Sequence, residues 1–283
     1  MRVLPWSLAC YMLPKPLQLV STATRPSRSD ALSGLTPSLL PSHLAVIMDG
    51  NARWAESRGM PRARGHAAGV ESLRLLVSNC LSVNIQTLTV YAFSIENWGR
   101  PPQEVDALLG LIESVLEAEA EELISRGVRL RFIGELDMLP ARLRALTQRI
   151  SRTPPKEQRL LLCVALSYGA RRELARAMRE LAERVVSGEL SAGDLDEEML
   201  TRHLHASPNA APTDPDLLIR TGGRRRLSNF LLYQCAYSEI SCVECLWPDF
   251  GSAELEAVLR EFGGGERTFG LRPSQAHAAQ EGQ

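Results

Sequence analysis

The sequence predicts an α/β protein: a single domain with a mainly parallel six-stranded sheet flanked by helices. Three observations predict it. Short runs rich in Val, Ile and Leu alternate with amphipathic stretches from residue 43 onward, the pattern of successive βα units. No internal repeat or low-complexity linker interrupts residues 43–262. Polar and charged residues directly follow several apolar runs, as they do where ligands bind beyond the carboxyl ends of parallel strands. With 283 residues, 45% of them hydrophobic, the chain has ample material for one large core.

The elements follow in order. Residues 1–40 stand apart: Arg2, Lys15, Arg25 and Arg28 face one acid, Asp30, among many Ser, Thr and Pro. Lys15 and the prolines break each apolar run before it could span a bilayer. Such an acid-poor leader reads as an organelle transit peptide, with a plain disordered N-terminus as the alternative. Strands are expected at 44–48, 87–93, 129–133, 160–165, 217–219 and 240–245, each short and β-branched or Leu-rich. Helical patterns cover 66–82, 104–126, 140–151, 170–187, 194–205, 228–237 and 252–262. In 104–126, Val105, Leu108, Leu109, Ile112, Leu116, Leu123 and Ile124 form one stripe opposite an acidic face. That stripe is either core packing or one wall of an apolar tunnel. Residues 207–216 form a Pro-rich loop, and 271–283 a loose tail.

The formal net charge is −1, so no global field recruits nucleic acid or an anionic membrane. An anionic ligand must be held by a local cluster. The cations are nearly all arginine, Lys15 and Lys156 being the only lysines, and arginine grips phosphate with a planar fork. The six cysteines form no framework. Cys242 and Cys245 make a C-x-x-C with only Cys235 close by, and 239–247 reads as a buried strand in which cysteine is a small hydrophobe.

The chemistry gathers after the strands. The first runs into Asp49, Gly50, Asn51 and Arg53; the second into Ser94, Glu96, Asn97, Trp98 and Arg100; the fifth into Arg220, Gly222, Gly223, Arg226 and Ser228. The first and the third of these stretches, each alone, read equally well as a surface turn; together the three suit a diphosphate. Arg220 and Arg226 offer bidentate contacts. Gly222 and Gly223 allow a loop whose N–H groups face an anion. Ser228 is placed to cap a following helix. Asp49 with Glu239, at the start of the sixth strand, supplies two carboxylates for a Mg²⁺ that takes its other ligands from phosphate and water. No Walker A loop and no G-x-G-x-x-G after the first strand is present.

The stretches "HLAVIMDGNARWA", "GH" at 65–66, "YAFSIENWGRP", "LLIRTGGRRRLSNFLLYQCAYSE" and "LWPDFG" resemble the cis-prenyltransferase family over roughly residues 41–270, in family order. The resemblance implies a parallel-sheet fold with an apolar tunnel and a homodimer. It implies addition of isopentenyl diphosphate to an allylic diphosphate (farnesyl, geranylgeranyl or shorter), each new double bond cis, with Mg²⁺ required. By the same resemblance Asp49 and Glu239 bind the metal. Gly50, Asn51, Ala52, Arg53 and Trp54 line the allylic diphosphate site, with Arg62 and His66 nearby. Ser94, Ile95, Glu96, Trp98 and Arg100 border the substrates, and Asn97 helps remove a proton. Arg220, Arg226, Leu227 and Ser228 grip isopentenyl diphosphate. The chain departs from the family pattern at Arg224, at Ser167 to Arg171, and at Arg267 to Gly270. A non-catalytic subunit of a heteromeric enzyme is the alternative. The implied address is the plastid, with cytoplasm or another organelle as alternatives, and peripheral membrane association through the product is a further expectation.

Overall fold

A computed structural model describes residues 34–207 and 213–265, together with Leu32 and Ala211. Six strands form one sheet: β1 (His43–Ile47), β2 (Thr87–Ser94), β3 (Val128–Ile133), β4 (Leu160–Tyr168), β5 (Leu217–Arg220) and β6 (Glu239–Cys242). Their spatial order is β3-β4-β2-β1-β5-β6, and every pairing is parallel. From β1 the chain leaves toward β2 on one side and returns through β5 on the other. That reversal makes a switch point between the carboxyl ends of β1 and β5, where open sheets bind ligands.

Among the described residues seven helices surround the sheet: α1 (Asn51–Glu56), α2 (Arg62–Ser82), α3 (Pro102–Ser125), α4 (Ala141–Ser151), α5 (Ala170–Val186), α6 (Glu197–Ala206) and α7 (Ser252–Gly264). Every residue of β1 is buried because both sheet faces are covered, which is why the run 43–47 reads as unbroken apolar sequence after its histidine. One face carries Leu44, Val46, Leu88 and Val90 into the main core with α2, α3, α4 and α7. The other carries Ala45, Ile47 and Leu218 against Phe230 and Leu231.

Four features differ from the sequence reading. The short α1 is an addition to the expected elements. No helix forms over 228–237; Ser228, Asn229 and Leu231 have φ of 51°, 62° and 42°, which breaks any right-handed helix there. The sixth strand is a half-exposed edge ending at Cys242 rather than a buried strand, with Ile240 51% exposed. Finally, the folded unit begins before residue 41: Leu32 is buried in the main core, and Leu35 and Leu40 pack on it. The rest of the expected leader and the whole expected tail lie outside the described residues, as do Arg267 to Gly270.

Candidate active site

Asp49 sits two residues beyond β1, and its position is fixed through its own backbone. Its carbonyl accepts from Thr221 Oγ1 at 2.7 Å and from the Trp247 N–H at 3.1 Å. Gly50 follows with φ +117°, and a Cβ there would lie 2.9–3.0 Å from Leu246. This is a turn that only glycine takes at no cost. The Asp49 carboxylate then meets two guanidinium groups: Arg53 Nη2 at 3.1 Å and Arg220 Nη2 at 2.8 Å. Burial alone would raise its pKa, but the bonds from Arg220 and Arg53 outweigh that and hold it below the usual carboxylate range. Asp49 is therefore ionised at neutral pH.

Arg220 is the deepest charge of the cluster, its side chain 5% exposed. Nη1 donates to Ser228 Oγ at 2.7 Å and to the Arg226 carbonyl, while Nε has no partner among the described residues. Arg53 Nη1 donates to the Gly222 carbonyl at 2.8 Å. Gly222 and Gly223 both have positive φ, but their N–H groups donate to the carbonyls of Cys245 and Val243, not toward an anion as expected. Gly222 instead clears space for the Arg53 guanidinium, which a Cβ would strike. Arg224, Arg225 and Arg226 are exposed, with no side-chain partner among the described residues. The cluster thus carries a local positive excess on a chain whose net charge is near zero.

Ser228 does not cap a helix; it receives Arg220 from a left-handed backbone. Leu227 packs partly on the smaller core. In the 3-10 turn Ile95–Gly99, Asn97 Oδ1 accepts the Ser94 N–H at 3.1 Å, and Glu96 Oε1 accepts from Asn229 Nδ2 at 2.8 Å. Trp98 lies edge-on to Phe93 and donates its indole N–H to Ser167 Oγ at 2.9 Å, so Ser167 supports this loop.

Beside Asp49 an apolar cavity of about 150 Å³ opens between the sheet and helices α2 and α3. Its polar lining is Asn51 and His66, whose buried Oδ1 and Nε2 have no partner among the described residues, and the ion-paired Arg74 and Glu119. Burial, then the charge of Arg100, lowers the His66 pKa, so the ring is neutral at pH 7. Leu108, Ile112, Leu116 and Leu123 of the expected stripe line the cavity. Leu109 is buried in the core off the lining, and Leu111 and Val115 join it instead. Gly65 and Gly69 let α1 and α2 approach closely: a Cβ on either would collide with Asn51. The G-x-x-x-G spacing of "GHAAG" is a sequence signal for that approach, as Trp247 and Thr221 are not.

Other expected site residues lie outside the cavity lining. Arg62 pairs with Glu56 and Glu104, and Arg100 with the same Glu104. Trp54 points away from the cavity lining, donating to Asp249 at 2.7 Å under the Arg58 guanidinium. Ala52 lies in α1, half-exposed. Glu239 is not brought to Asp49 within one chain. Leu217 is in register with both Leu44 and Glu239, so Glu239 lies at the amino end of the sheet. Asp49 is five residues further along the strand direction, roughly 16 Å at the rise of a parallel strand. Among the described residues no group of three or more His, Cys, Asp or Glu side chains is placed to hold a metal.

The segments that build this geometry are shared with known proteins. The undecaprenyl diphosphate synthase family profile matches residues 47–270. A ditrans,polycis-undecaprenyl-diphosphate synthase ((2E,6E)-farnesyl-diphosphate specific) of Xanthomonas axonopodis pv. citri is 44% identical over 247 residues, covering 87% of this chain and 95% of that protein. An isoprenyl transferase of Heliobacterium mobile is 45% identical over 236 residues, 83% and 90% of the two chains. The solved structure of lavandulyl diphosphate synthase from Lavandula x intermedia, in complex with dimethylallyl diphosphate, superposes with a TM-score of 0.78 at 32% identity, covering 82% of this chain and 99% of that one. A probable undecaprenyl diphosphate synthase from Campylobacter jejuni superposes with a TM-score of 0.67 at 37% identity, covering 81% and 98%. The curated relatives named here are bacterial and lend no support to a plastid address.

Proposed function

The chain belongs to the undecaprenyl diphosphate synthase family of cis-prenyltransferases, and from that premise we propose how its own residues carry the reaction. It is a prenyl transferase that extends an allylic diphosphate with isopentenyl diphosphate to a cis-polyprenyl diphosphate. In each condensation the allylic C–O bond breaks and diphosphate leaves with the electron pair. The isopentenyl double bond attacks the allylic carbon, and a proton is lost to form the new double bond.

The observation that carries this reading is the Asp49–Arg53–Arg220 cluster next in the chain to Met48 and Asn51, which line the apolar cavity. Arg53, with Asn51 and His66 at the rim, receives the allylic diphosphate while its tail enters between α2 and α3. Arg220, held rigid by three partners, and the free Arg226 take the isopentenyl diphosphate beside Ser228. Cationic groups fixed in place before the reaction stabilise the leaving charge without reorganising. Asn97, in the loop after β2, takes the role of steering proton loss that the family resemblance implies.

Mg²⁺ binds through one or two carboxylates plus substrate phosphates and water. An ionised Asp49, 28% exposed beside the anion site, fits that donor set as a single carboxylate, with Glu239 no part of it in one chain. When bound there, the ion supplies Lewis-acid stabilisation to the departing diphosphate. We place farnesyl diphosphate first among primers, following the name of the Xanthomonas relative. A homodimer is part of the proposal, with the exposed Tyr237 and Ile240 at the β6 edge as its contact.

The test is incubation of the purified chain with Mg²⁺, labelled isopentenyl diphosphate and an allylic primer. Labelled polyprenyl product supports the reading. Product only when a second polypeptide is added points to a subunit role, and no product under either condition refutes catalysis.

A further inference from the structure

Asn229 lies inside the "LLIRTGGRRRLSNFLLYQCAYSE" stretch with no role given to it there, yet it joins three parts of the site. Its backbone is left-handed, a conformation asparagine tolerates better than most side chains. Its carbonyl accepts the Ala170 N–H at 2.9 Å, and its side-chain Oδ1 accepts the Arg171 N–H at 3.0 Å. Both donors belong to the first turn of α5, whose N–H groups have no partner inside the helix. The side-chain Nδ2 turns the other way and donates to Glu96 Oε1 at 2.8 Å. Gly169 makes room: a Cβ there would lie 2.6 Å from Asn229 Nδ2 and 2.8 Å from Ile95 Cγ2. On the chain, Asn229 follows Ser228, the Arg220 acceptor, while Glu96 precedes Asn97.

We infer that Asn229 is a positioning residue, its two-sided amide locking the loop that carries Arg226 and Ser228 against the loop that carries Asn97. The inference rests on the prenyltransferase reading above. An acceptor alone would cap α5, and a donor alone would hold Glu96; the amide supplies both at one position. The two loops hold the groups that grip isopentenyl diphosphate and steer its proton. Their spacing therefore sets that substrate's pose, while Asp49, Arg53 and the cavity are built from other segments.

The substitution Asn229→Asp tests this. It keeps the left-handed tolerance and the acceptor for Arg171 but replaces the Nδ2 donor with an oxygen facing Glu96. A lost bond that misplaces a reacting group should cost turnover with isopentenyl diphosphate on the order of 30-fold, with KM for the allylic primer within about 3-fold of wild type. In a Glu96→Gln background the glutamine amide donates to the introduced carboxylate, so the same substitution should cost less than about 3-fold relative to Glu96→Gln alone. An equal loss in both backgrounds, or an equal rise in KM for both substrates, overturns the inference. If Asn229→Asp fails to fold, the Asn229→Asp/Glu96→Gln pair decides: recovery of fold and activity supports the lock, and no recovery assigns Asn229 to the fold alone. A wild-type chain that makes no polyprenyl product would instead refute the parent reading.

Discussion

Replacing Asp49 with asparagine separates what the carboxylate does for the fold from what it does for the reaction. The substitution keeps the volume and the backbone bonds from Thr221 and Trp247, but removes the counter-charge of Arg53 and Arg220. Arg220 is 5% exposed, so its charge is left uncompensated in a poorly solvated place. Removing one partner of a buried pair costs about 3–5 kcal/mol, and the partial exposure of Asp49 puts the expected cost near 3. In a domain of this size that lowers Tm by roughly 6–12 °C. Because the Asp49 pKa is depressed, its contribution is present above the unfolded value of about 3.9 and is lost as pH falls through the lower folded value. Wild type and variant should therefore differ at pH 7 and converge in strong acid. Inorganic pyrophosphate should still bind the variant, since the arginines remain and an opposing charge is gone, while turnover falls by on the order of 10³-fold. Thermal unfolding across pH, pyrophosphate titration and steady-state assays read the three effects. Turnover within about tenfold of wild type would show Asp49 to be only a turn residue.

A chain beginning at residue 41 should be about 3 kcal/mol less stable than one beginning at residue 30, because it loses the buried Leu32 and the packing of Leu35 and Leu40; equal denaturant midpoints would sink this. Leu116→Ala should lengthen the polyprenyl products, since Leu116 lines the cavity, whereas Leu109→Ala should cost about 2–5 kcal/mol of stability with product length unchanged; chromatography of dephosphorylated products and chemical unfolding distinguish them. Glu173→Gln should remove a pH dependence. Burial raises the Glu173 pKa despite bonds from Gln234 and Tyr168, so wild type loses stability as pH rises through that value, and the variant should be at least as stable at pH 8; a variant less stable at pH 8 than at pH 5 by the wild-type margin would count against it.

Much of the site was legible because backbone demands leave sequence marks. An apolar run ending in Asp-Gly-Asn announces a buried strand leaving its sheet through a turn, and Asp49 and Gly50 stand there. The same kind of mark sets Arg220 at the end of β5. What failed was anything decided by a distant partner. Gly222 and Gly223 looked like an anion nest, but 243–245 crosses beneath them and takes their N–H groups. Glu239 begins a strand and Asp49 follows one, and register sets them at opposite ends of the sheet. On α3 the apolar face is wide enough to serve two surroundings, so periodicity alone could not separate Leu109 in the core from Leu111 at the cavity.

The helix expected at 228–237 failed for a reason that bears on function. Its apolar spacing is genuine, but a helix would close Ser228 and Asn229 into its own first turn. The chain instead holds Ser228, Asn229 and Leu231 in left-handed backbone, at a cost of roughly 1–2 kcal/mol each. Five bonds oppose that strain: Arg220 to Ser228 Oγ, Tyr91 to the Ser228 carbonyl, the Ala170 and Arg171 amides to Asn229, and Asn229 to Glu96. At about 1 kcal/mol each, and more where a charge takes part, they match the strain within a few kcal/mol. The loop is thus held by its partners rather than by its own propensity. Each partner is itself part of the site or of the element beside it. A loop so balanced keeps its shape only while Arg220, Glu96 and the start of α5 are all in place, so the geometry that receives isopentenyl diphosphate is conditional on the geometry of its neighbours. Local sequence, which reports only what the loop would do alone, reads it as a helix.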